Sequence, residues 1–254
     1  LEQLAGNCVV AAAFMSYAGP FPHSYRLEFM SENPKSVVKL VAEAKVPYTP
    51  ELSVTQFIAD RVDVREWTSH GLPNDDFSIQ NGMLVMPPTK WVPRSRWPLI
   101  IDPEGQANKW IKATETGRNL RVVGPNQEDF MRTVENAVQF GLPILLEDVG
   151  TELDPSLDPV LTRRGVKLGS REVLRLDDGK EIEYHPDFRL YVTTKLANPS
   201  FGPELTTKMT VVNFAVREQG LQQQLLGHVV MHERRQLEEQ KAALVAKIAG
   251  AQRT

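Results

Sequence analysis

The chain of 254 residues has a single cysteine, Cys8, so no internal disulfide can staple it, and that usage fits a reducing compartment. No apolar run approaches the roughly 20 residues that a membrane-spanning helix needs, so no membrane partner is expected. Neither sign of charge dominates: 29 basic against 32 acidic residues leave a net −3, which removes the electrostatic case for a nucleic-acid partner. Internal repeats and low-complexity tracts are absent, so repeat architectures and long linkers are not expected. What remains is a hydrophobic fraction of 41% in a chain long enough to bury a large core.

Against those absences stands the stretch WPLIIDPEGQANKWI, Trp97 to Ile111. Its apolar residues at 98–101 predict a buried strand, Asp102-Pro103-Glu104-Gly105 a tight turn, and 107–114 a helix carrying Lys109. A phosphate-binding loop sits at such a junction, because the N–H groups that open a helix attract anions. Counted back from Lys109, the pattern GxxxxGK[ST] places Pro103 and Asn108 at its glycines and Trp110 at the hydroxyl that would hold magnesium. The loop formed by Asp102, Pro103, Glu104, Gly105, Gln106, Ala107, Asn108 and Lys109 therefore reads as a degenerate phosphate site that keeps only the lysine.

A second strand supports that reading. PILLED at 143–148 has the form of a Walker B strand, four apolar residues and then two carboxylates at the C-terminal edge of a sheet. The usual order is Asp then Glu; here Glu147 precedes Asp148. The shorter acid holds its oxygens about 1 Å back from the water-polarising position, a displacement that can cost about a hundredfold in rate.

Periodicity supplies the rest. Residues 1–17 and 25–45 read as helices, the second interrupted at Pro34, and Ser53 caps one helix running through Val54, Phe57, Ile58, Val62 and Trp67. Residues 71–86 show only a short apolar run at 83–86. Strands are expected at 98–101, 120–123, 143–147, 188–194 and 209–214. Asn126 with Asp129 opens a helix in capping-box fashion and Gly141 closes it. A short helix is expected at 154–164 and a hairpin at 172–184, turning on Asp177-Asp178-Gly179-Lys180. Strands alternating with helices make the fold class α/β, with a five-stranded parallel central sheet.

Taken together, AAAFMSYAGPF at 11–21, GLP at 71–73, RWPLIIDPEGQANKWI at 96–111, FGLPILLEDVGTELDPSLDPVL at 140–161, FRLYVTTKLANPSFGPEL at 188–205 and VVNFAV at 211–216 resemble the dynein heavy chains, axonemal ones above all. They resemble in particular the fifth AAA+ module of the motor ring. The resemblance implies a three-layer AAA+ P-loop-type module of a microtubule motor, located in the cytoskeleton or in the axoneme of a cilium or flagellum. Its implied partners are neighbouring AAA+ modules of the same heavy chain, the stalk coiled coil reached through the buttress, and the microtubule through the whole motor. The chain opens and closes in helical pattern, as a segment of a longer protein would.

Carried over by position, Leu72, Pro73, Phe77 and Ile79 match the flank of an adenine pocket, and Asp102 to Lys109 the degenerate phosphate loop. Glu147 and Asp148 match Walker B, and Lys195 the sensor I position, where asparagine is usual. Gly202 stands where an arginine finger is expected, so the module should not complete a neighbour's site. The implied module needs no cofactor, binds ATP or ADP weakly, and relays conformational change without hydrolysis. The alternative is a regulatory nucleotide-binding or weakly hydrolysing module. His228 and His232 are spaced like metal ligands, but no third ligand accompanies them and no metal is expected.

Three regions follow: N-terminal helices at 1–70, a large α/β subdomain at 71–216, and at 217–254 the start of a small helical subdomain with the buttress helix. A helix over 219–249 would be roughly 45 Å long. Its second half offers only a narrow stripe at Leu237, Leu244, Val245 and Ile248, with Val230, Leu237 and Leu244 seven apart. A seam of that width suits a coiled-coil partner rather than a globular core. Amide exchange on the dilute monomer should therefore show residues 237–248 weakly protected; strong protection there would mean that the stripe packs on its own domain.

Overall fold

The computed structural model describes residues 2–215 apart from 32–35, 51, 87–95, 164, 169–170 and 177–178, and beyond them 222, 225–226, 229–230 and 232–233. Most of the expected buttress helix, with His228 and the stripe at 237–248, lies outside the described residues.

Five short strands make the central sheet: β1 (Trp97–Ile101), β2 (Arg121–Val123), β3 (Pro143–Leu146), β7 (Arg189–Thr194) and β8 (Met209–Asn213). Their order is β2-β3-β7-β1-β8 and every pairing is parallel. β1 and β3 are apolar without interruption because both faces are covered. Successive side chains alternate between two cores. Leu99, Ile101, Ile144, Leu146, Leu190 and Val192 enter one, and Ile100, Leu145 and Tyr191 the other.

The first core is closed by α8 (Phe130–Phe140) and α9 (Asp158–Thr162), and by Leu174 and Ile182 of a small antiparallel sheet. That sheet comprises β4 (Gly165–Leu168), β5 (Arg171–Arg175) and β6 (Glu181–Glu183). The expected hairpin is therefore present, with one more strand on its N-terminal side. α10 (Pro203–Lys208) leads into β8.

Helices seal the second core: α1 (Leu4–Tyr17), α4 (Val54–Ile58), α5 (Arg61–Ser69), α6 (Asp76–Val85) and α7 (Gln106–Glu115). α2 (His23–Met30) and α3 (Val37–Glu43) pack outside them.

Three local expectations are corrected. The single helix from Ser53 to Trp67 is two, because Ala59 turns extended and Asp60 starts the second one. The Asp60 carboxylate accepts from the N–H groups of Val62 and Asp63, and Asp63 returns a bond to the Asp60 N–H, a full capping box. Residues 76–85 form α6, capped by Asp75, where only an apolar run was legible. Finally, α8 has no capping box: Asp129 makes no side-chain cap bond, and turn bonds from Gln127 N–H to Gly124 O and from Phe130 N–H to Gln127 O organise the entry. Gly141 does end α8, in the left-handed conformation at φ 68°.

One buried cation joins the N-terminal helices to the sheet. Arg26 is 1% exposed and donates to the carbonyls of Ala18, Gly19 and Phe21 and to Asn81 Oδ1. Its guanidinium lies 4.4 Å from the centre of the Phe77 ring. Asn81 in turn donates to Asn213 O at the end of β8, and the Asn213 N–H bonds Gly19 O. Burial lowers the Arg26 pKa from 12.5 to about 9, yet the group stays charged at neutral pH. Arg26→Met would leave several buried acceptors without donors and should cost about 2–4 kcal/mol of unfolding free energy in urea titration. Arg26→Lys, with fewer donors, should recover only part of that loss.

Candidate functional site

The candidate site is the C-terminal edge of the sheet, where β1, β3 and β7 end. β1 ends in Asp102, which is 2% exposed. Its Oδ1 accepts from the Gln106 N–H at 2.8 Å and its Oδ2 from the Asn108 N–H at 2.9 Å. These amides open α7, whose N-cap is Gly105. Burial raises the Asp102 pKa above its usual 3.8, while backbone N–H groups from Asn108, Ala107, Gln106 and Gly105 pull it down. The helix N-terminus that could receive a phosphate thus already holds an anion, the chain's own carboxylate.

The remaining loop residues are arranged around that contact. The turn covers only Pro103, Glu104 and Gly105, and the Gly105 N–H bonds Asp102 O. Gln106, Ala107 and Asn108 are in the first turn of α7, Ala107 fully buried. Lys109 is the next helical residue and is exposed. Trp110 is buried in the core against Phe214.

Both acids assigned to a Walker B strand meet lysines. Glu147 Oε1 lies 2.5 Å from Lys112 Nζ, and Asp148 Oδ2 accepts from Lys195 Nζ at 2.7 Å. Asp148 also adopts φ 56°, a left-handed conformation that aspartate tolerates better than most residues. The Asp148 contact raises the Lys195 pKa. Two backbone bonds and one side-chain bond lock the edge beneath them: Val149 N–H to Thr193 O, Asp102 N–H to Thr194 O, and the Thr194 hydroxyl to Val149 O. Lys195, the residue assigned to the sensor position, is thus the counter-ion of Asp148. Lys112 was not singled out in the sequence; its place three residues after Lys109 on one helix was the available signal.

The residues assigned to an adenine pocket are largely committed to packing. Leu72, Phe77 and Ile79 are buried. Phe77 carries Arg26 on its face and His23 at its edge. A cleft of about 930 Å³ opens beside Ile79, between α1, α2, α4, α5 and α6, and none of the residues Asp102 to Lys109 or Glu147 and Asp148 lines it. Gly202 precedes α10 with no side chain to offer. Among the described residues no group of three His, Cys, Asp or Glu could hold a metal ion. At this edge Asp102 caps the start of α7, Trp110 rather than a hydroxyl follows Lys109, and both acids are paired with lysines.

The ATP-binding dynein motor region, as a family, matches residues 65–254. The chain is 46% identical over 253 residues to dynein axonemal heavy chain 2 of Mus musculus, covering 100% of this chain and 6% of the relative. It is 48% identical over 252 residues to the dynein-1-beta heavy chain of the flagellar inner arm I1 complex of Chlamydomonas reinhardtii, covering 99% and 5%. To the dynein gamma chain of the flagellar outer arm of the same alga it is 41% identical over 248 residues, covering 98% and 5%. The chain thus spans about a twentieth of the length of these relatives.

Asp102→Ala would expose the amides of α7 to a dry, unpaired environment and should cost about 1–3 kcal/mol by chemical denaturation. Lys195→Ala, at a pair open to solvent, should leave the unfolding midpoint in the same assay essentially unchanged.

Proposed function

The chain belongs to the dynein motor-region family, and from that premise we propose that it is the fifth AAA+ module of the ring of an axonemal heavy chain, one that does not hydrolyse ATP. In this reading it works mechanically, passing rearrangements between neighbouring modules and, through the buttress, to the stalk. ATP turnover takes place in other modules of the same heavy chain, and the setting is the axoneme of a cilium or flagellum.

One observation carries the reading: the Asp102 carboxylate sits on the helix N-terminal amides that would otherwise receive a phosphate. Counted back from Lys109, Pro103 and Asn108 stand at the two glycine places and Trp110, buried against Phe214, at the hydroxyl place, so only the lysine remains. Glu147 and Asp148 could take up a metal only by giving up Lys112 and Lys195.

The purified chain should show no steady-state ATP hydrolysis above background at saturating magnesium. Turnover that vanishes on Asp148→Asn would overturn the proposal, because only a working Walker B acid would respond in that way.

A further inference from the structure

The cleft of about 930 Å³ beside Ile79 has the size of a site for a small organic ligand. Its floor is apolar, with Phe14, Val54, Ala59 and Ile79 all buried. Its charged lining is unequal: Arg26, Arg61 and Arg65 face Asp60 and Asp76. Asp60 is already committed to the amides of Val62 and Asp63 that open α5. Arg61, exposed, and Arg65, half-buried, lie four apart on α5 and so reach the cleft from one face of that helix. Neither side chain makes an ion pair among the described residues. Arg26 adds a charge from inside the wall. Its Nε and Nη2 hold bonds of 2.7–3.0 Å, all to uncharged acceptors. Its Nη1 has only Gln80 Oε1, at 3.4 Å, and Gln80 itself lines the cleft. Burial lowers the Arg26 pKa with no carboxylate to offset it. A buried charge without a counter-charge acts on the nearest opening, and low-dielectric walls concentrate its field there.

We propose that this cleft binds a small amphipathic organic anion, with its apolar body on Phe14, Val54 and Ile79 and its anionic head on Arg61 and Arg65. The head is a carboxylate, sulfonate or phosphate, the groups whose oxygens match the guanidinium fork. Arg26 strengthens the attraction from behind Gln80. A bare inorganic ion would leave the apolar floor unused, and a neutral apolar molecule would leave both arginines without a partner. None of the residues Asp102 to Lys109, nor Glu147 or Asp148, lines the cleft. The site is therefore distinct from the sheet edge and does not rest on the functional reading above.

Anilinonaphthalene sulfonate carries both features and fluoresces when it leaves water, so it serves as the probe. Titrated into the purified chain, it should bind saturably at one site. Its neutral parent, phenylnaphthylamine, should bind about tenfold or more weakly, because it lacks the head that the arginines hold. Arg61→Ala combined with Arg65→Ala should weaken the sulfonate by about tenfold or more while leaving the neutral probe unaffected and the circular dichroism unchanged. Arg61→Lys with Arg65→Lys should recover part of that loss, since the charge remains and the fork does not. Asp148→Asn should leave the affinity as it was. Equal affinity for the two probes in the unsubstituted chain would overturn the proposal, and that comparison needs no variant to fold. Sulfonate binding that survives both alanine substitutions would overturn it as well. So would binding lost on Asp148→Asn, which would place the probe at the sheet edge.

Discussion

β1 is buried on both faces along its whole length, and this constraint shapes most of the molecule. A strand with no exposed face must be sandwiched, so helices are needed above and below it, and its neighbours must be parallel strands fed by crossovers. Where such a strand ends, the chain leaves a dry interior at the mouth of a helix. A polar residue placed there is immersed in low dielectric and must find donors at once. Asp102 meets that demand with the amides of α7. The carboxylate and the helix start are therefore mutually dependent: each satisfies a group that would be costly to leave alone.

In the proposed reading, the same edge retains an anion-binding architecture while its ligand is dispensed with. Phosphate sites work because fixed N–H dipoles have no internal acceptor. Once a side chain supplies one, an external phosphate must displace a tethered competitor whose effective concentration is very high. Two lysines then neutralise the acids of β3, Lys112 from α7 and Lys195 from the end of β7. Each of these ion pairs is partly or largely open to water and contributes little to stability. Their consequence is electrostatic: the edge loses the concentrated negative charge that draws in a divalent cation.

Much of this was legible in the sequence. β1 and β3 were, because Leu99-Ile100-Ile101 and Ile144-Leu145-Leu146 are apolar at every position, a pattern no surface element keeps. The degenerate loop was legible as a set of missing glycines and a missing hydroxyl. What replaced the phosphate was not, because an Asp after a strand has no signature of which amides it will cap. α6 escaped because it is buried on nearly all sides, so its apolar residues show no helical stripe. The break at Ala59 escaped because the apolar spacing continues across it; only Asp60 with Asp63 marked a new helix start. The charge of Arg26 gave no hint of burial, since its acceptors are mostly backbone carbonyls that any sequence possesses.

The turn at Gly19 has a consequence for how the chain comes to be folded in a cell. A Cβ there would lie 2.2 Å from Val211 O, so the turn presses directly on the edge strand β8, and its carbonyl bonds Asn213. The N-terminal helices are synthesised first, but the strand against which this turn closes is among the last described elements to leave the ribosome. Asn81, which completes the joint, already precedes Asn213 by 132 residues. At usual elongation rates that interval is about 7–26 seconds, during which the turn at Gly19 has no β8 to close against. The nascent chain is thus a natural client for chaperones that shield exposed helices, and a pause in translation before β8 would prolong that dependence.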